Sequence, residues 1–336
     1  MQLHSNLVET RCGQWIDKDL PPQVAASLVN ARPMPEKFWI VDQSAANMPG
    51  CRAYNPSIIR EDGKTLMSFR RHGLDDYSQE ALGVASHIVM CELDNAMAKA
   101  TRHRVVSGLV GPNSEDARLF RHNGKLHISY TSAEYTPANE WKCMMNCAEL
   151  RHMESSALLH YDTRFGVNGA AHEKNWTYFS VGGMLRFVYN IEPLIVFEVE
   201  TRNIWYHRHD GEWVFGVPHG GTPPIKVGDL WYSFFHSYRR DKTYKRRYFV
   251  GAYAFDDDMK VKAFTPWPIM ASDASDGFCF DITKTTWSPL VALPCGAIYE
   301  NGKWLVSVGI NDSYCGIMEV DHENLVRNRL REVLTS

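Results

Sequence analysis

Ser114-Glu115-Asp116-Ala117-Arg118-Leu119-Phe120-Arg121-His122-Asn123-Gly124-Lys125-Leu126-His127-Ile128-Ser129-Tyr130-Thr131 decides how this chain is read. Two adjacent carboxylates and an arginine open an apolar run. An Asn-Gly pair interrupts it, and a second run of alternating apolar and polar residues follows. Asn-Gly between two such runs marks a β-hairpin with a two-residue turn. The charges stand at the entry to the hairpin, not along a solvent face. They read either as a surface ion pair at a strand end or as charges carried into a pocket.

The hairpin recurs. Asn55-Pro56-Ser57-Ile58-Ile59-Arg60 turns at Asp62-Gly63 into 65–70. Glu173-Lys174-Asn175-Trp176 leads into a strand that turns at Gly182-Gly183 into 185–190. Gly221-Thr222-Pro223-Pro224-Ile225-Lys226 turns at Gly228-Asp229 into 231–236, and 294–299 turns at Asn301-Gly302 into 304–309. Five hairpins, near 55–71, 114–132, 173–190, 220–237 and 293–312, recur at roughly 50–70 residues, the spacing of propeller blades. The expectation is an all-β chain, one five-bladed β-propeller domain over 1–336, with a short C-terminal helix at 321–334. Outer strands are expected at 87–93, 157–161, 195–200, 249–255 and 316–320. A lone strand is expected at 38–41, a short helix near 23–30, and a loop-rich stretch at 266–289.

Composition narrows the function. The formal charge of −3 gives no global attraction to nucleic acid or to an anionic membrane. No apolar run approaches the roughly 18 residues of a membrane-spanning helix, and the first residues show no signal peptide. Eight cysteines in 336 residues are too sparse for a disulfide framework and read as reduced thiols of a cytoplasmic protein. Ten Trp and fifteen Tyr suit strands and sugar-stacking surfaces.

In a propeller the first strand of each blade lines the central channel, so the residues that open those strands converge on one mouth. Here they are Asn55, Glu115, Asp116, Glu173, Lys174, Thr222 and Cys295. The ends of the second strands add Arg70, Arg71, Thr131, Asn190, Glu192, His236, Asn311 and Asp312. Buried charge is costly unless paired or used, so this ring reads as a polar ligand site.

These hairpin starts resemble glycoside hydrolase family 130, five-bladed propeller enzymes acting mainly on β-mannosides. Asn55-Pro56 with Arg70 looks like the first-blade Asn-Pro and sugar-binding arginine of that family. Glu115-Asp116-Ala117-Arg118 looks like its Glu-Asp-Pro-Arg, which implies that Asp116 is the proton donor. Glu173-Lys174-Asn175-Trp176 looks like the phosphate-binding lysine motif. Gly220-Gly221-Thr222-Pro223-Pro224 with His236 looks like the fourth-blade pattern, and Gly309-Ile310-Asn311-Asp312 like the segment ending in a sugar-binding aspartate. Two positions depart. Ala117 replaces a proline, and Val188-Tyr189-Asn190 stands where phosphorylases carry a His-Arg pair that helps to hold phosphate.

The resemblance implies inverting chemistry with Asp116 as acid. Asn55, Arg70, Glu115, Glu192, Asn311 and Asp312 would bind substrate, and Arg118, Lys174 and His236 would bind phosphate. A phosphorylase needs cations to hold its nucleophile. A hydrolase needs a second carboxylate about 6.5–9.5 Å from the acid to activate water, and Glu192 is the candidate. Three readings stand: phosphorolysis or synthesis of a β-mannoside through mannose 1-phosphate, inverting hydrolysis on the same scaffold, or a propeller that binds glycan without catalysis. No cofactor is expected beyond inorganic phosphate as co-substrate. The expected partner is an oligosaccharide or sugar phosphate, with neither nucleic acid nor membrane, and a homo-oligomer is compatible with the sequence. Cys143 and Cys147 with His152 lack the spacing and the fourth ligand of a zinc site. The basic run Tyr238–Arg247 reads as an exposed hairpin loop, and 256–258 as an acidic turn.

Overall fold

The structure, a computed structural model, describes residues 7–9, 15–17, 35–43, 51–73, 86–111, 113–135, 141–151, 154–155, 173–240, 246–271 and 291–333. The helix expected near 23–30, the strand at 157–161, His152, and most of the loop-rich stretch at 266–289 lie outside them.

Two short strands, β1 (Leu7–Glu9) and β2 (Trp15–Asp17), pair with each other, and β3 (Lys37–Ile40) follows. The first blade is β4 (Cys51–Glu61), β5 (Lys64–Gly73), β6 (His87–Leu93) and β7 (Ala100–Val105). The second is β8 (Asn113–His122), β9 (Lys125–Tyr135), β10 (Trp141–Arg151) and β11 (Glu154–Ser155). The third is β12 (Thr177–Val181), β13 (Met184–Asn190), β14 (Leu194–Glu198) and β15 (Ile204–His207). A wider sheet then takes β16 (His219–Gly220), β17 (Ile225–Val227), β18 (Leu230–Arg240), β19 (Arg246–Phe255), β20 (Val261–Phe264) and β21 (Met270–Ala271). The last blade is β22 (Ala292–Glu300), β23 (Lys303–Ile310) and β24 (Tyr314–Asp321), completed by β3, and β25 (Arg331–Glu332) joins β20 of the wide sheet.

The turns follow from their residues. Asp62-Gly63, Asn123-Gly124, Gly182-Gly183 and Asn301-Gly302 all take positive φ at both positions, between 47° and 83°. That geometry matches the twist of the flanking strands and favours Asn, Asp and Gly. The registers Glu61↔Lys64, His122↔Lys125, Val181↔Met184 and Glu300↔Lys303 confirm two-residue loops.

Each sheet packs on the next through an apolar layer, and the layers close a ring. Leu66 and Met90 of the first blade meet Leu119 and Ile128 of the second. Phe120 and Cys147 meet Trp176 and Phe187 across the next boundary. Phe179 and Val196 meet Phe235 and Phe255 of the wide sheet. Phe234 and Ala252 meet Trp304 and Val306 of the last blade, whose Ile298 and Ile317 meet Ile58 and Phe69 of the first. The inner strands such as β8 and β22 are buried on both faces, which explains their near-continuous apolar runs, while outer strands such as β7 and β15 are largely exposed.

The arrangement is all-β and propeller-like, but the expectation of a five-bladed propeller is corrected to four blades. Four sheets are four-stranded blades, and the fourth hairpin belongs to a seven-stranded sheet. Pro223-Pro224 is the physical reason on the inner side. Proline has no N–H to give to a ladder, so the inner strand breaks into β16 and β17, both paired to β18. Thr222 bridges the gap, its N–H donating to Phe234 O (2.8 Å) and its hydroxyl accepting from Phe234 N (3.0 Å). Two further expectations change. The third strand of the second blade is β10, which the sequence reading passed over. The terminal helix shrinks to His322–Asn324 with a π turn over Leu325–Arg329, because the chain then extends to pair β25 with β20.

Trp304 ties these pieces together. It is fully buried against Tyr232 and Phe234 of the wide sheet, and its Nε1–H donates to His322 Nδ1 at 3.0 Å. Trp304→Ala is expected to cost about 3–5 kcal/mol of folding stability, read from urea unfolding. A loss under about 1 kcal/mol would contradict this packing role.

Candidate functional site

The inner strands carry their polar groups on irregular backbone. The β4–β5 ladder slips between Tyr54 and Ser57, the β8–β9 ladder between Glu115 and Arg118, and the β22–β23 ladder between Pro294 and Gly296. A bulge at the same place in three inner strands re-aims the side chains beside it. Asn55 (φ 52°) and Asp116 (φ 51°) sit at the first two, and Asn175 (65°), Asn311 (51°) and Asp312 (48°) are left-handed as well. Asn and Asp tolerate that region better than other side chains, though at some strain, and such residues cluster at functional sites.

The bulges bring Asn55 and Asp116 together: Asn55 Nδ2 donates to Asp116 Oδ1 at 2.7 Å. Gly309 of β23 backs this pair, since a Cβ there would collide with Asn55 Oδ1. Glu115 is 5% exposed and takes two cations, Arg70 Nη2 at 2.9 Å and Lys174 Nζ at 3.0 Å. Burial alone would raise its pKa, but the two cations overturn that and hold the carboxyl well down, at about 2. Arg70 also donates from Nε to Ser86 Oγ (2.8 Å), stands 3.9 Å from Asp116, and lies over the Tyr54 ring. Burial works against the charges of Arg70 and Lys174, and the carboxylates around them outweigh it, so both stay charged. Lys174 keeps 36% of its side chain exposed.

Asp312 behaves in the opposite way. Burial pushes its carboxyl up to about 6; Asp116 and Glu115 add to the shift, while Arg70 and Arg52 oppose it.

Several expected site residues are placed differently. Arg118 is fully buried and spends its guanidinium inside the protein, on Gly221 O (2.6 Å), Gly220 O (3.3 Å), Asp116 O (3.0 Å) and Asn175 Oδ1 (3.0 Å). It braces the second blade against the wide sheet, and its expected role as a phosphate ligand is corrected to that of a buried brace. His236 is 3% exposed, and burial, then His219 and Arg118, hold its pKa well below the ordinary value. Burial thus disfavours the charged ring that a phosphate cation would need. Its Nδ1 is buried without a hydrogen-bond partner among the described residues. Asn311 is a backbone tie, its Oδ1 accepting from Val291 N (3.0 Å) and its N–H donating to Val291 O (3.1 Å). Glu192 lies in the turn between β13 and β14, half-buried, and burial raises its pKa. No hydrogen bond joins it to the Glu115 cluster among the described residues.

The missing His-Arg pair has a physical replacement. Tyr189 packs on Trp176 and Phe197 and its hydroxyl reaches Glu173 (3.4 Å), while Asn190 Nδ2 donates to Pro193 O (2.8 Å). That corner is aromatic and self-satisfied. Sequence reasoning missed His72, whose pKa falls to about 4 through burial and then the Arg70 charge. Its position two residues after Arg70 on β5, hence on the same strand face, was the available signal. Among the described residues no group of three or more His, Cys, Asp or Glu side chains could hold a metal, and no helix is long and apolar enough to cross a membrane.

No family model matches the sequence, and no curated protein matches it. Solved structures do match in fold. A β-1,2-mannobiose phosphorylase from Listeria innocua, in complex with β-1,2-mannobiose, aligns with TM-score 0.60 at 16% identity, over 90% of this chain and 96% of its own. A mannose phosphorylase from Leishmania mexicana, in complex with phosphate ion, aligns with TM-score 0.61 at 15% identity, over 92% and 95%. A third belongs to work on glycoside hydrolase family 130, a family of mannoside phosphorylases containing hydrolases that target β-1,2-mannosidic linkages in Candida mannan. It aligns with TM-score 0.59 at 13% identity, over 90% and 93%. The class is therefore a divergent propeller with the fold of glycoside hydrolase family 130, as the hairpin motifs implied.

The two shifted carboxylates affect stability in opposite senses. Glu115, depressed from 4.5, stabilises the folded state above its unfolded pKa, and this is lost as pH falls toward about 2. Asp312, raised from 3.8, favours folding below its unfolded pKa, and this is lost as pH rises through about 6. Glu115→Gln is therefore expected to flatten the loss of stability between about pH 5 and pH 2. It should also cost about 3–5 kcal/mol at pH 7, because Arg70 is left buried without its partner. Denaturant unfolding across that range checks both, and an unchanged acid slope would refute the pairing.

Proposed function

We propose that the chain is a carbohydrate-active enzyme that cleaves or forms β-mannosides by inverting phosphorolysis, with mannose 1-phosphate as product or donor. The observation that carries this reading is the Asn55–Asp116 pair: a carboxyl on left-handed backbone, oriented by an amide from the neighbouring blade. It stands beside a network in which Arg70 and Lys174 share Glu115. The fold it shares with mannoside phosphorylases supports the reading.

In the cleavage direction a phosphate oxygen attacks the anomeric carbon from the face opposite the leaving group. The glycosidic C–O bond breaks, and the leaving oxygen takes a proton supplied by Asp116, directly or through a sugar hydroxyl. Lys174 is the member of the expected cationic trio that combines charge with exposure, so it is the ligand for phosphate. Arg118 contributes only its field from below, and His236 a hydrogen bond from its buried ring. Asp312 and Arg70 meet sugar hydroxyls.

Asp116→Asn should reduce turnover by at least about 10²-fold in a folded protein. The assay is incubation with mannose 1-phosphate and a panel of sugar acceptors, following phosphate release. Near-normal release by Asp116→Asn would remove it as the acid, and no release by the wild type with any acceptor would overturn phosphorolysis.

One observation favours a second reading, inverting hydrolysis. Glu192 is half-buried, its pKa is raised by burial, and no cation holds it among the described residues, which suits a base that activates water. Under hydrolysis Glu192→Gln should lower the rate by about 10²–10⁴-fold with or without phosphate. Under phosphorolysis, phosphate-dependent turnover should survive the substitution.

A further inference from the structure

The inner strands run on past the mouth that holds Asp116. Further along β8, roughly 15 Å on for an extended strand, stands Arg121. The other inner strands reach Arg60, Ser180, Lys226 and Glu300 at the same end, next to their hairpin turns. Between the two ends the channel is pinched. Arg118 reaches across it from β8 to the carbonyls of Gly220 and Gly221. Leu119 N donates to Ser57 Oγ (2.9 Å), and a Cβ on Gly296 would collide with Ile58 N.

Beyond the pinch lies a cavity of about 420 Å³, lined by residues of β4, β8, β12, β17 and β22. That volume falls among small-molecule sites, which run from about 300 to 1,000 Å³. Much of its wall is apolar, with Ile59, Leu119, Phe179, Pro223, Pro224 and Ile298. Its charges are unbalanced. Arg60, Arg121 and Lys226 line it against one carboxylate, Glu300. Arg60 is spent: it gives Nε and Nη2 to Glu300 (2.6 and 2.8 Å) and Nη1 to Thr65 Oγ1. Arg121 and Lys226 pair instead with carboxylates outside the wall, Glu61 (2.6 Å) and Asp257 (2.6 Å). A guanidinium and an ammonium carry more N–H groups than such pairs use. Among the described residues Arg121 donates further only to Gly124 O (3.0 Å), and Lys226 to nothing else. Both side chains are partly exposed. Lys226 Nζ also stands 5.7 Å from the centre of the Trp231 ring, which meets Phe179 edge-on at 5.1 Å. Flat apolar surface and a cation with donors to give therefore share one wall.

We propose that this chamber is a second ligand site, for a small organic anion with a flat apolar body, of the aryl carboxylate kind, whose charge is taken by Arg121 and Lys226. A sugar phosphate is polar on every face. Here it would set hydroxyls against prolines and aliphatic side chains, and polar groups buried without partners are costly. An aryl carboxylate matches both halves of the wall: the ring is buried against the apolar side chains, and the carboxylate stays at the partly exposed rim with the two cations. The site is separate from the mouth and does not depend on the reaction proposed there.

The test is isothermal titration calorimetry on the full chain with 2-naphthoate, and with 2-naphthamide as its uncharged counterpart. The wild type should bind the anion about tenfold more tightly than the amide, the scale of a charge-assisted hydrogen bond. Lys226→Met and Arg121→Leu, which keep an apolar stem, should each weaken 2-naphthoate by about tenfold. Ala297→Phe, which puts a ring into the cavity, should abolish binding. Saturating mannose 1-phosphate should leave the titration unchanged. Displacement by mannose 1-phosphate would place the naphthoate in the other mouth and overturn the proposal. No binding, equal affinity for the amide, or undiminished binding by Lys226→Met and Arg121→Leu would overturn it as well. Should Ala297→Phe fail to fold, the two rim variants, both at partly exposed positions, carry the same measurement.

Discussion

One buried guanidinium holds the centre of this molecule. Arg118 has no exposed surface, and removing its charge from water is costly unless every contact is good. It meets that condition with three backbone carbonyls and one amide oxygen drawn from three places in the chain. The demand passes outward. The carbonyls of Gly220 and Gly221 can approach only because neither residue has a side chain: a Cβ on Gly220 would collide with Asn175 O, and one on Gly221 with Phe234 O. The adjoining Pro223-Pro224 then breaks the inner strand and gives the wide sheet its irregular edge.

The same contact organises the chemistry above it. By taking Asp116 O, Arg118 helps to hold the bulge at which Asp116 turns left-handed and its carboxyl meets Asn55. Above that level the charges separate by environment. Glu115, between Arg70 and Lys174, is locked in its ionised form. Asp312, half-buried and reached by no hydrogen bond from a described residue, is pushed up to about 6 by desolvation. Carboxylates with opposed proton affinities in one mouth make that mouth sensitive to pH.

Much of this was legible in the sequence, for local reasons. Asn-Gly, Asp-Gly and Gly-Gly pairs encode two-residue turns whatever surrounds them, so the hairpins and their spacing could be placed by reading alone. The polar residues that open inner strands could be collected into one mouth because propeller topology sends them there. The wide sheet and the shortened helix could not. Both depend on pairing β25 with the distant β20, and β3 likewise completes the last blade through β24, far along the chain.

What the sequence by itself determined is the inventory: all-β hairpins, one ring of polar strand starts, and the Asp116 motif with its family resemblance. What only the tertiary structure decided is the role of each charge. Arg118 and His236 read as cations for an anion when counted along the chain. In the fold, one is consumed by backbone carbonyls, and burial disfavours the charge of the other. Asp312 read as a sugar ligand, and burial pushes its carboxyl up to about 6. Residue type sets what a group can do, but desolvation and neighbouring charge select among those options, and both arise only when distant segments pack.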